Sequence, residues 1–205
     1  MHNIVNNLLS IQSELKIKIN NLNLKNYSPN IIAVSKTFPI KDILPLINHG
    51  HIHFGENKVQ EAIEKWSTIK NDFKHIQLHM IGKLQTNKVK YVVPLFDYIH
   101  SVDNIKLAEK ISQEQTKNNK IVKLFIQINI GDEKQKNGIL VDQLDLFYKK
   151  CTEDLKLNVI GLMCIPPNDN KSSTYFSNIQ KLVKKFDLKE SSMGMSNDYM
   201  EAINY

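Results

Sequence analysis

The chain has 205 residues, of which 41% are hydrophobic and 23% are charged, and its formal net charge is +6. These proportions are typical of a soluble globular protein, and they exclude a disordered or collagen-like chain. All 27 Lys and Arg residues are lysine, so the sequence excludes sites that need a guanidinium group on phosphate or carboxylate. The lysines are scattered without an aromatic stacking pattern, which favours a solvated surface over nucleic-acid binding.

The sequence predicts a cytoplasmic location. Two cysteines, Cys151 and Cys164, are too few for a disulfide framework and form no CxxC pair, which favours a reducing compartment. The N-terminus has no secretory signal pattern, and no apolar run approaches the ~20 residues needed to cross a bilayer. We therefore expect a single domain over 1–205, with an N-terminal helix within 1–25 and no membrane partner.

Strand and helix patterns alternate along the chain. After a helical stripe over 4–22, short apolar runs predict seven strands at 31–35, 51–55, 77–82, 98–102, 121–130, 157–165 and 190–193. Helical patterns follow them at 40–47, 59–73, 84–93, 105–111, 140–148, 176–186 and 197–204. Pro45 is expected to shorten or kink the second helix.

This alternation predicts an α/β fold with a parallel sheet that is buried on both faces. Both a TIM-type (β/α)8 barrel and an open doubly wound sheet fit the pattern. Neither G-x-G-x-x-G nor G-x-x-x-x-G-K-[ST] follows any predicted strand, so the common nucleotide-binding motifs are absent, which favours the barrel. In such barrels, functional residues lie where strands end and loops begin.

Lys36 follows the first predicted strand directly, within the segment AVSKT. An amine at this position is costly to desolvate, and desolvation would favour the neutral form that attacks an aldehyde to give a Schiff base. In a chain so rich in lysine, the competing interpretation is a side chain that extends into solvent.

The second predicted strand ends in HFGENKVQE. Asn57, with Gln60 three residues later, fits a helix N-cap pair, and the functional alternative is an amide at the barrel mouth. His51 and His53 share a strand face and could bind a metal, but no third ligand has suitable spacing, so we predict none.

The last predicted strand is followed by the loop SSMGMSND and a short helix. Free backbone N–H groups at a helix start bind anions, so Gly194, Met195, Ser196 and Asn197 are candidates for a phosphate site. The alternative is that Ser196 is an ordinary N-cap residue.

Seven segments together resemble the pyridoxal-phosphate homeostasis proteins, the YggS/PROSC family, whose barrel is that of the alanine racemase N-terminal domain. They occur in the family's order between about 31 and 203, and they are IIAVSKT, FGENKVQE, HMIGKLQTNK, IHSVD, LFIQINIGDEKQKNG, VIGLMCIP and SMGMSND. The resemblance implies pyridoxal 5'-phosphate (PLP) as cofactor, Lys36 as its Schiff-base lysine and Asn57 beside it. Met163 would line the barrel mouth, and Gly194, Met195 and Ser196 would lie on the phosphate side.

The chain departs from the family at its C-terminal end. Family members continue with a segment resembling G-S-T-x-V-R-I-G, which forms the eighth strand and carries further phosphate ligands, whereas this sequence ends at Tyr205. We therefore expect a barrel without its eighth strand, with an exposed strand edge.

Three functions remain in competition. The first is a non-enzymatic PLP carrier, with PLP-dependent apo-enzymes as candidate recipients. The second is a PLP-dependent amino-acid racemase, which we disfavour because one racemase base is a tyrosine from a separate C-terminal domain. The third is an eroded family member with weakened PLP binding.

Overall fold

The computed structural model describes residues 3–133 and 135–205. The seven strands are β1 (Ala33–Val34), β2 (His53–Glu56), β3 (Gln77–Met80), β4 (Tyr98–Val102), β5 (Lys123–Ile128), β6 (Val159–Cys164) and β7 (Glu190–Ser192). The α-helices are α1 (Asn3–Asn21), α2 (Ile40–Asn48), α3 (Val59–Asp72), α4 (Val89–Leu95), α5 (Ile105–Asn118), α6 (Leu144–Lys149), α7 (Ser172–Lys185) and α8 (Tyr199–Ala202). The predicted alternation of strand and helix is confirmed.

The sheet has the strand order of a barrel. All neighbouring strands pair in parallel, and their order in space follows the chain from β1 to β7. A doubly wound sheet would reverse its order at a switch point, so the barrel prediction is confirmed. The sheet is strongly curved, because His100 on β4 lies 2.7 Å from the Ser192 hydroxyl on β7, three strands away.

The barrel is open on one side. The described residues supply seven strands, and β1 and β7 are not paired with each other. Val34 illustrates the open edge, since it is 43% exposed although it is aligned with the buried Gly55 of β2. The predicted barrel without an eighth strand is thus confirmed for the described part of the chain.

The main core lies between the sheet and the surrounding helices. Phe54 of β2 packs on Trp66 of α3 with ring centroids 5.1 Å apart, and both side chains are fully buried. Neighbouring strands contribute Leu78, Ile99 and Leu124, which are also fully buried. Because side chains alternate along a strand, the residues between these point into the barrel.

Several elements differ in length from the prediction. Strand β1 has two residues instead of five, because it is an edge strand with β2 as its single partner. Helix α2 continues through Pro45 to Asn48, so this proline does not end the helix. Helix α8 begins at Tyr199 instead of Asn197 and has only four residues.

Cys151 and Cys164 are both free and buried, and burial raises the pKa of each thiol to about 12. In the described part of the chain, no helix is long and apolar enough to cross a membrane.

Candidate functional site at the carboxyl ends of the strands

Lys36 lies in a turn two residues after β1, and its side chain is exposed. The structure thus places the amine at the predicted strand end but does not bury it. Hydrogen bonds fix the backbone of the two residues that flank Lys36. The Ser35 N–H donates to the Gly55 carbonyl of β2 (2.9 Å), and the Thr37 N–H donates to the Glu61 carboxylate of α3 (2.5 Å).

Asn57 follows β2 directly and does not cap α3. Lys58 occupies the N-cap position without a side-chain cap, and Gln60 donates to Glu64 (2.9 Å) instead of forming a capping pair. The capping interpretation is therefore wrong. The Asn57 Oδ1 atom is buried without a hydrogen-bond partner in the structure, which is costly unless a bound group supplies a donor.

The loop after β3 lies very close to the Asn57 backbone at Gly82. A Cβ atom on Gly82 would lie 2.3 Å from the Asn57 carbonyl oxygen and 2.7 Å from its Cα atom. Only glycine allows the loop after β3 to approach the Asn57 backbone this closely. The glycine of the segment HMIGK thus determines where the Asn57 amide is placed.

Met163 faces the barrel interior from β6 and is 5% exposed. Its backbone is aligned with Gln127 on β5 and Ser192 on β7. These two strands are the neighbours of β6 in the sheet. The structure therefore places Met163 on the inner wall, and its contact with a cofactor remains a prediction.

The loop after β7 differs from the predicted anion site. The Met195 N–H donates to the Asp198 carboxylate (2.6 Å), so this donor is already used by a negative group. Gly194 has φ +84°, and a Cβ atom there would lie 2.9 Å from the Tyr199 Cα atom, so packing against α8 requires this glycine. Asp198 occupies the N-cap position of α8, so the alternative role of Ser196 as N-cap is wrong.

Three interior histidines form a chain that the sequence pattern did not predict. His53 Nδ1 lies 3.0 Å from His79 Nε2, His79 Nδ1 lies 2.9 Å from His100 Nε2, and His100 Nδ1 lies 2.7 Å from Ser192 Oγ. Each contact needs one donor and one acceptor, so all three neutral rings must adopt the same tautomer. His51 is not part of the chain, since its Nε2 contacts the His53 carbonyl.

Burial keeps these imidazoles neutral. Desolvation, together with the neighbouring His100 and His53, lowers the pKa of His79 to about 2, and desolvation lowers the pKa of His100 to about 3. The rings of His79 and Tyr98 stack with centroids 4.1 Å apart, and those of His100 and Phe125 with centroids 4.3 Å apart. No group of three side chains able to hold a metal ion occurs among residues 3–133 and 135–205.

The fold is a parallel barrel with Lys36 at the exit of its first strand. The family described as "Alanine racemase, N-terminal domain" matches residues 14–205, and the chain belongs to this family. The resemblance to pyridoxal-phosphate homeostasis proteins is confirmed by curated relatives of that name. The protein of Haemophilus influenzae is 33% identical over 98% of this chain and 89% of its own length, and that of Aquifex aeolicus is 35% identical over 84% and 79%.

A solved structure is similar over nearly the same span. PipY of Synechococcus elongatus PCC7942, determined with PLP bound, is 30% identical with a TM-score of 0.77, and the match covers 93% of each chain. The alanine racemase of Clostridium difficile shares the fold at 10% identity and a TM-score of 0.67, and this chain spans 53% of it.

Proposed function

We propose that this protein is a carrier of pyridoxal 5'-phosphate that holds the cofactor as a Schiff base on Lys36 without turnover of its own. The observation that carries the proposal is the PLP-bound structure of PipY, which matches 93% of this chain at 30% identity. PLP-dependent apo-enzymes are the proposed recipients. The names of the curated relatives, which this chain spans over most of their length, support homeostasis instead of catalysis.

The residues present fit the chemistry of the cofactor. PLP supplies an aldehyde, and Lys36 is an exposed primary amine next to the open end of the barrel. Lys36 would hold the group through this amine, and the bound cofactor would supply an aldehyde carbon for condensation, with the aldehyde oxygen released as water. The unpaired Oδ1 of Asn57 provides a buried acceptor at the neighbouring strand end.

On the phosphate side, we propose a narrower set of contacts than the sequence predicted. The Met195 N–H is already bound by Asp198, and Gly194 packs against α8. The exposed hydroxyl of Ser196 is then the proposed phosphate donor of this loop. Met163 is proposed to contact the cofactor from the inner wall.

Replacing Lys36 with alanine should abolish imine absorbance after incubation with PLP and dialysis. Because Lys36 is exposed, stability should change by less than about 0.5 kcal/mol. The matched control is Lys41→Ala, which removes an exposed lysine of α2 and should leave the absorbance intact. Wild-type protein that becomes colourless on dialysis would favour an eroded carrier, and production of D-amino acids that depends on Lys36 would favour a racemase.

Replacing Asn57 with alanine should separate binding from stability. Removing a buried acceptor that has no partner should change the free energy of unfolding by less than about 1 kcal/mol, whereas PLP should be held about tenfold more weakly. Asn104→Ala is the converse control, since Asn104 accepts the Leu107 N–H (2.9 Å) at the start of α5. It should cost about 1 kcal/mol of stability and leave PLP binding unchanged. Equal PLP affinity of Asn57→Ala and wild type would contradict the role of Asn57.

A further inference from the structure

The turn that carries Lys36 is anchored on both sides by three charged side chains behind the barrel wall. Glu56 ends β2 and faces α3, and Glu61 and Lys65 lie on α3. We call Glu56, Glu61 and Lys65 the anchor cluster. Glu56 is fully buried, and the Lys65 side chain is only 8% exposed.

Lys65 connects the two carboxylates to the turn. Its Nζ atom donates to the Ser35 carbonyl (2.7 Å), to Glu56 Oε1 (2.8 Å) and to Glu61 Oε1 (3.0 Å). An ammonium group has three N–H donors, so Lys65 uses all of them here. One of these three bonds goes to the residue that directly precedes Lys36.

Each carboxylate also contacts the turn directly. Glu56 Oε1 accepts the Ser35 hydroxyl (2.8 Å) and the Trp66 indole N–H (2.9 Å), which fixes the carboxylate against the core. Glu61 accepts the Thr37 N–H. Lys36 makes none of these contacts itself, but both of its neighbours in the chain do.

The backbone at Thr37 needs such support. Thr37 has φ +65°, a left-handed conformation that is strained for a β-branched residue. Strained conformations persist where the surrounding structure fixes them, and they concentrate at functional sites. Here the Glu61 carboxylate fixes the Thr37 N–H, and the Thr37 hydroxyl donates to the Lys36 carbonyl (2.6 Å).

We propose that the anchor cluster is a set of positioning residues that holds the Lys36 backbone in the geometry required for reversible imine formation. The inference rests on the proposed function of Lys36. The amine is exposed, so what the fold contributes is the placement of its backbone. A shift of about 1 Å in a reacting group can cost two orders of magnitude in reactivity, so loosening the turn should be measurable.

The test compares two lysines of α3 that form ion pairs, Lys65 with the fully buried Glu56 and Lys70 with the partly buried Asp97. Lys65→Met removes the anchor, whereas Lys70→Met removes an ammonium that donates to Asp97 (2.5 Å) and to the Leu95 carbonyl (3.0 Å), away from the turn. Lys65→Met should accelerate amide exchange at Thr37 in the protein without PLP and weaken PLP binding by about tenfold or more. Lys70→Met should change neither, although it too should lower stability.

A second pair of variants keeps the test decisive if Lys65→Met does not fold. Glu61 is 27% exposed, so Glu61→Ala should be tolerated, and it should accelerate exchange at Thr37 and weaken PLP binding. Glu61→Gln keeps an acceptor oxygen for the Thr37 N–H and should restore most of both properties.

The outcomes are distinguishable from a failure of the proposed function. Faster exchange at Thr37 with unchanged PLP affinity, or unchanged exchange in both Lys65→Met and Glu61→Ala, would overturn the positioning role alone. A wild-type chain that forms no imine at Lys36 would overturn the proposed function first, and the inference with it.

Discussion

Lowering the pH from 7 to 5 should remove up to about 4 kcal/mol of stability through His79 and His100. An unfolded histidine has a pKa of about 6.5, whereas burial lowers the pKa to about 2 at His79 and to about 3 at His100 in the folded protein. Between these values the unfolded chain binds more protons than the folded one. The stabilisation is therefore complete above about pH 6.5 and is lost as the pH falls, by about 2 kcal/mol per histidine at pH 5.

Urea unfolding at several pH values measures this effect. His79→Gln and His100→Gln should each reduce the fall in stability between pH 7 and pH 5 by about 2 kcal/mol, because glutamine does not titrate in this range. Wild-type protein measured over the same pH values is the reference. A pH dependence that is the same in both variants and in wild type would contradict the burial of neutral imidazoles in the barrel.

Replacing Gly82 with alanine should lower the free energy of unfolding by about 3 kcal/mol, and the same substitution should weaken PLP binding. The new Cβ atom would lie 2.3 Å from the Asn57 carbonyl oxygen, and a backbone atom cannot move aside without displacing the Asn57 amide. Chemical denaturation gives the loss of stability, and equilibrium dialysis gives the change in PLP affinity.

The matched control is Gly55→Ala, which also adds a methyl group within the barrel. There the new Cβ atom would meet side chains, the Ile32 Cγ2 atom at 2.9 Å and the Ile81 Cδ1 atom at 3.2 Å. Side chains adjust more easily than backbone, so we expect Gly55→Ala to lower the free energy of unfolding by only about 1 kcal/mol. If Gly82→Ala retained wild-type PLP affinity and lost no more stability than Gly55→Ala, the close approach of Gly82 to the Asn57 backbone would have no role in PLP binding.

The order of elements could be predicted from the sequence because it depends on local patterns. Continuous apolar runs such as that around Phe125 predict buried parallel strands, and the stripe that includes Trp66 predicts a helix on the same core. Lys36 was placed correctly at a strand end for the same reason. The sequence leaves open whether this side chain is desolvated or extends into solvent, and the structure exposes it.

Contacts between distant strands had no local signal. The histidine chain joins residues on β2, β3, β4 and β7, and its last bond connects His100 to Ser192, which is 92 positions away. Only the curvature of the sheet brings these side chains together. The anchor cluster was missed for a similar reason, since a buried Glu56 is indistinguishable in sequence from a solvated acidic residue.

Two local interpretations were wrong because each helix begins one or two residues later than the sequence pattern indicates. The spacing to Gln60 favours Asn57 as an N-cap residue, but Lys58 occupies that position and the Asn57 Oδ1 atom has no hydrogen-bond partner in the structure. Ser196 is the alternative N-cap residue of α8 in the sequence, but the chain stays in a turn until Asp198, which occupies the N-cap position. At both strand ends, the loop geometry decided which residue begins the helix, and composition alone does not determine that geometry.

The central claim is that Lys36 carries the cofactor. Incubating the full chain with PLP, reducing it with borohydride and mapping the pyridoxyl adduct by peptide mass spectrometry tests this claim directly. We predict one dominant adduct on Lys36, which is lost in Lys36→Ala and retained in Lys41→Ala. Adducts spread over the surface lysines, or an adduct pattern that is unchanged in Lys36→Ala, would contradict the account.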